Sequence, residues 1–97
     1  MKLTETFNKA TVSKGEIFQI ELPDLGTTGQ LWHAKVVSGQ ADFLGKTITP
    51  GSDFGGSAVY HFNFRAREAG EIEIQAELKR PWEPQVDKSQ TFKLTVK

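Results

Sequence analysis

In Ile72-Glu73-Ile74-Gln75-Ala76-Glu77-Leu78, every second side chain is apolar and every one between is Glu or Gln. Successive side chains of a strand point to opposite faces, so this stretch describes a strand with one face in a core and the other in water. Upstream, Tyr60-His61-Phe62-Asn63-Phe64-Arg65-Ala66 repeats the pattern with three aromatic rings on one face and His, Asn and Arg on the other. Glu68-Ala69-Gly70 lies between the two stripes. A short connection ending in Gly suits a turn whose last residue needs positive φ, so the two strands are expected to pair as a hairpin.

Outward from this centre the same alternation recurs in Phe18–Leu22, Trp32–Val36 and Phe92–Val96, with less regular pieces at Leu3–Phe7, Ala10–Val12 and Ala41–Thr49. No window carries a helical stripe of useful length, and the gaps hold Gly, Pro, Ser or Asp. Seven or so short strands with such turns predict an all-β fold, a two-sheet antiparallel β-sandwich.

The chain has 97 residues, enough for one domain spanning residues 1–97 and no second. Its apolar fraction is 37 %, with seven Phe and two Trp, so a packed interior is expected rather than disorder. Lys plus Arg and Asp plus Glu are balanced at 12 each. That balance argues against nucleic-acid binding, which needs a basic patch to displace counterions. There is no cysteine, so disulfides and thiolate metal ligands are excluded in any redox compartment. Met1-Lys2-Leu3-Thr4-Glu5-Thr6 opens on polar sequence with no signal or membrane-spanning stretch. The compartment stays open between the cytoplasm and a processed periplasmic or secreted form, and no membrane association is expected.

Three connections are longer or odder than a turn requires, and function concentrates in such loops. The first is Leu22–Trp32, where Gly26 and Gly29 bracket Thr27-Thr28; its plain reading is a loop whose closing Trp32 enters the core. The second is Thr49–Ser57, a Gly-rich turn carrying one aromatic, Phe54, before Gly55-Gly56. With no following helix or Lys it is not a phosphate cradle. The third is Lys79–Asp87, where Arg80 and Trp82 flank Pro81 and Pro84 follows. Two prolines stiffen this loop. Trp82 is either a binding anchor, since Trp and Arg are enriched at hot spots, or a cover for the end of the core.

Taken in order, these segments resemble the chagasin family of cysteine-protease inhibitors, whose loops carry Asn-Pro-Thr-Thr-Gly, Gly-Gly and Arg-Pro-Trp. The likeness spans about Gly15 to the C-terminus and rests on Leu25-Gly26-Thr27-Thr28-Gly29 with Trp32 beyond it, on Gly55-Gly56, and on Arg80-Pro81-Trp82. One departure stands out: the family's Asn-Pro is Leu25-Gly26 here, which removes a proline that restricts the loop. The resemblance implies an immunoglobulin-like sandwich with three binding loops at one end. It also implies a monomeric, reversible inhibitor of a papain-like or cathepsin L-like protease. The implied protease-binding residues are Leu25, Gly26, Thr27, Thr28, Gly29, Phe54, Gly55, Gly56, Arg80, Pro81, Trp82 and Glu83.

Catalysis has little to work with. There is no Cys nucleophile, and the two histidines, His33 and His61, fall on the polar faces of strands, where a solvated imidazole is the ordinary case. Neither has local partners at metal-ligand spacing. No catalytic residue, metal or cofactor is expected. The competing reading is an immunoglobulin-like adhesion or carbohydrate-binding module, in which Trp82 and Phe54 would stack on a sugar.

Overall fold

The computed structural model describes residues 1–23, 31–49 and 58–97. These form eight strands: β1 (Lys2–Leu3), β2 (Lys9–Val12), β3 (Ile17–Pro23), β4 (Leu31–Ser38), β5 (Ala41–Thr49), β6 (Val59–Ala66), β7 (Gly70–Lys79) and β8 (Lys88–Val96). They make two four-stranded sheets, in the orders β1-β3-β6-β5 and β2-β8-β7-β4. No helix occurs among the described residues.

The alternation seen in the sequence becomes the core. Tyr60, Phe62, Phe64 and Ala66 of β6 are buried, as are Phe18, Ile20 and Leu22 of β3. Across from them lie Ile72, Ile74, Ala76 and Leu78 of β7 and Phe92, Leu94 and Val96 of β8. Register aligns these sets, with Phe18 opposite Phe64 and Ile20 opposite Phe62 in one sheet, and Ile74 opposite Phe92 in the other. A one-residue slip would turn each row of apolar side chains to water, so burial itself specifies the pairing. Among the described residues no polar side chain is fully buried.

The expected hairpin between the two richest stripes does not form. β6 pairs with β3 and β5, whereas β7 pairs with β4 and β8, so Glu68-Ala69-Gly70 carries the chain from one sheet to the other. Two strongly amphipathic strands can bury their apolar faces side by side or face to face. Here each is an interior strand of its own sheet and the faces meet across the core. The Gly requirement in this connection holds, with Gly70 at φ 128.

The sheets are also not purely antiparallel: β1 runs parallel to β3 and β2 parallel to β8. The N-terminal stretch adds one strand to the edge of each sheet. β1 runs in the direction of β3, and the chain then crosses between sheets and returns along β8. The crossing is a turn in which the Thr4 and Phe7 backbones bond mutually at 3.0 and 3.2 Å, so strand structure stops at Leu3 instead of running to Phe7. Glu5 anchors it through Lys88 at 3.1 Å and Gln90 at 3.2 Å.

Edge strand β5 explains its own irregular sequence. Its register shifts between Phe43 and Gly45, where an extra residue reverses the inward and outward parity. Phe43 and Ile48 lie opposite the buried Phe64 and Tyr60, yet stand 56 % and 51 % exposed at the rim.

Gly39 links β4 to β5 at φ 86, and a Cβ there would run into the Glu71 carbonyl oxygen and lie 2.8 Å from the Ile72 Cα. Gly39→Ala should therefore cost about 1–2 kcal/mol from the dihedral alone, with the backbone overlap added. The check is the urea midpoint at unchanged m-value; a midpoint equal to the parent's would contradict the strain.

His33, on the outer face of β4, has its pKa lowered below the ordinary histidine value by partial burial and then by the positive charges of Lys46 and Lys79, with Glu77 opposing. The unfolded chain thus takes up this proton first as pH falls. Stability is expected to decline as pH drops through about 6.5, the unfolded value. His33→Gln should flatten that decline between about pH 7 and 5, read as urea midpoints across the range; an unchanged slope would rule out His33 as its source.

Candidate functional site

The three long connections leave the sandwich at one end. In the first sheet, Pro23 closes β3 opposite Val59, which opens β6, and Val59 is in turn opposite Thr49, which closes β5. In the second sheet, Leu31 opens β4 opposite Lys79, which closes β7, and Lys88 opens β8 opposite Leu78. The stems of the first loop (residues 24–30), the second (50–57) and the third (80–87) are therefore neighbours. Leu25, Gly26, Thr27, Thr28 and Gly29 lie outside the described residues, as do Phe54, Gly55 and Gly56.

Arg80, Pro81, Trp82 and Glu83 are described, and they form a tight turn. The Glu83 amide donates to the Arg80 carbonyl at 3.1 Å. This places Pro81 at the second turn position, where its fixed φ matches the turn. The Arg80 guanidinium reaches the Glu83 carboxylate at 3.6 Å across the same turn. At the loop base, the Asp87 amide donates to the Leu78 carbonyl at 2.9 Å. The turn holds Trp82 out in water at 69 % exposure, the most exposed of the large apolar side chains described. Trp82 therefore does not cover the core.

The other tryptophan does the core's work. Trp32 is 0 % exposed and its indole Nε1 donates to the Pro23 carbonyl at 2.9 Å, in agreement with the plain reading that it enters the interior.

His61 departs from its expected solvated state. It lies on the outer face of the first sheet but is half-buried in a polar row. Its Nε2 is 2.7 Å from the Thr49 hydroxyl and its Nδ1 is 3.2 Å from the Gln19 carbonyl oxygen, while the Gln19 amide donates to Asn63 at 2.8 Å. Nδ1 also lies 3.6 Å from the Glu21 carboxylate, so this ring edge faces acceptors, while the Thr49 hydroxyl at Nε2 can either donate or accept. The row fastens Thr49, a stem of the second loop. Cross-strand neighbours of this kind are invisible until register is known, because Gln19, Thr49 and His61 come from three strands. Among the described residues no three His, Asp or Glu side chains converge as a metal site.

Fold and site together define a two-sheet sandwich of immunoglobulin-like architecture that gathers three loops at one end, one of them displaying a braced tryptophan. The profile of the chagasin family peptidase inhibitors (I42) matches residues 11–96. Amoebiasin-1 of Entamoeba histolytica is 31 % identical over 102 residues, covering 99 % of each chain. The chain belongs to the chagasin family of peptidase inhibitors. Among solved structures it is similar to a cysteine protease inhibitor of Entamoeba histolytica, with TM-score 0.79 and 22 % identity over 99 % of this chain and 93 % of that one. It is also similar to Amebosin, with TM-score 0.71 and 30 % identity over 100 % of this chain and 97 % of the other. PbICP-C, solved in complex with falcipain-2, matches with TM-score 0.58 and 16 % identity over 100 % of this chain and 90 % of that one.

Proposed function

We propose that the protein inhibits papain-like cysteine proteases reversibly, by seating its three loops across the catalytic cleft and performing no chemistry of its own. The observation that carries this reading is Trp82, exposed on a turn that Pro81 and the Arg80–Glu83 contacts stiffen, beside the stems of the other two loops. The complex of PbICP-C with falcipain-2 supports the choice of partner.

A papain-like enzyme keeps its Cys as a thiolate beside a His on the floor of a cleft. Thr27-Thr28-Gly29 would lie over that centre, because small residues let backbone approach closely and exclude substrate. The loops carrying Phe54-Gly55-Gly56 and Arg80–Glu83 would hold the cleft on either side, with Trp82 packed on apolar enzyme surface and Arg80 offering charge-assisted hydrogen bonds. Three clustered loops suffice for an interface of roughly 1,600 Å² in total. Leu25-Gly26, in place of Asn-Pro, lacks proline's fixed φ, a change that would raise the entropy lost on docking.

The test is a titration against papain and a cathepsin L-like enzyme with a fluorogenic substrate. Full inhibition that reverses on dilution, with the inhibitor recovered uncleaved, is expected. Absence of inhibition of several such enzymes at micromolar inhibitor would overturn the reading in favour of an adhesion or carbohydrate-binding module.

A further inference from the structure

We propose that the Trp32 indole N–H is a clamp that sets the spacing between the loop-bearing ends of the two sheets, making Trp32 a positioning residue for inhibition. This rests on the inhibitory reading above. Trp32 is the second residue of β4 in one sheet, and its acceptor, Pro23, is the last residue of β3 in the other. The 2.9 Å bond between them thus crosses the core at the loop end and ties together the two strands from which residues 24–30 depart.

Apolar contact between sheets is non-directional and lets them slide a little, whereas a hydrogen bond, here partly buried, fixes a distance and an angle. From this bond the constraint reaches all three loops. Trp32 is opposite Leu78, whose carbonyl receives the Asp87 amide and closes the third loop. Pro23 is opposite Val59, and Val59 is opposite Thr49, the stems of the second. A composite surface binds tightly only if its parts are already spaced for the target, since ordering them on contact consumes affinity.

The sharpest test replaces Trp32 by 3-benzothienyl-alanine, which keeps the bicyclic shape and puts sulfur where the N–H was. Trp32→Phe serves as a genetically encoded second variant, and Phe92→Leu, in the core away from the loop stems, controls for loss of stability. Two readouts are taken on folded protein: backbone ¹⁵N order parameters for Leu22, Leu31, Val59 and Leu78, and the inhibition constant against papain with its dissociation rate.

The clamp predicts lower order parameters at these stems and an inhibition constant about five- to tenfold higher, carried by faster dissociation. It predicts neither change in Phe92→Leu. Unchanged order parameters in the sulfur analogue overturn the clamp whatever the inhibition constant does. Looser stems with unchanged inhibition overturn its positioning role. If the parent itself inhibits no papain-like enzyme, the inhibitory reading falls and the positioning role with it, while the order parameters still decide whether the bond holds the stems.

Discussion

Trp82→Ala is expected to raise the inhibition constant against a papain-like protease about thirtyfold or more, equivalent to about 2 kcal/mol, with the urea midpoint unchanged. The separation of the two effects follows from where the ring stands. At 69 % exposure it contributes little to the core, so its removal should move folding stability by no more than about 0.5 kcal/mol. Its backbone is already held by the Glu83-to-Arg80 hydrogen bond and by Pro81, so docking recovers the burial of a large ring at small conformational cost. The Arg80–Glu83 ion pair at 3.6 Å is partly exposed and adds little stability; its part is to keep the turn closed. Trp82→Phe should fall between parent and alanine variant. Inhibition by a folded Trp82→Ala protein equal to the parent's would remove Trp82 from the interface.

Phe64→Ala is expected to have the largest effect on folding, a loss of about 3–5 kcal/mol. Phe64 is 1 % exposed in the middle of β6. Its ring stacks on Phe18 at a centroid distance of 5.5 Å and 14° between planes, and meets Phe43 at 5.3 Å and 51°. Neither neighbour can close the space, because Phe18 is fixed by its own register and Phe43 already sits at the rim. A domain of this size has only about 5–15 kcal/mol in total, so the variant should show a large fall in urea midpoint and in Tm of about 15–30 °C. Phe43→Ala, at a half-exposed site, should cost about 1 kcal/mol or less. A Phe64→Ala loss below that of Phe43→Ala would contradict this account of the core.

Interior strands were legible because they bury one face completely. In β3, β6 and β7, and in Phe92–Val96 of β8, every second residue is apolar, and no other arrangement hides those residues. β5 was less so, since the extra residue between Phe43 and Gly45 reverses parity and its edge position leaves inward-facing side chains in water. The irregular piece at Leu3–Phe7 is strand only to Leu3, because a crossing turn of Thr, Glu and Phe has no distinct pattern of its own. Strand pairing escapes the sequence for a different reason. Alternation says which face of a strand is buried and nothing about which strand lies beside it.

The candidate site divides in the same way. Arg80-Pro81-Trp82 could be read as a stiffened element, and the turn follows from proline's fixed φ, a local property. The plain reading places Trp32 in the core, but whether Trp82 joins it there is not readable, because Trp82 too is large, apolar and close to a loop. Their fates diverge only when the sheets are assembled: Trp32 lies on the inner face of β4 with the Pro23 carbonyl within reach, and Trp82 lies beyond the end of β7 with no sheet above it.

By itself, then, the sequence determined the faces of the interior strands and the turn-prone segments, which rest on residues near one another in the chain, and the family likeness, which rests on short segments taken in order. The tertiary structure decided that the two strongest stripes face each other across the core, that the terminal strands pair in parallel, and that the stems of three distant loops meet at one end with Trp32 bridging them. These outcomes depend on register and on contacts between sheets, where the free energy comes from residues tens of positions apart and no local pattern records the choice.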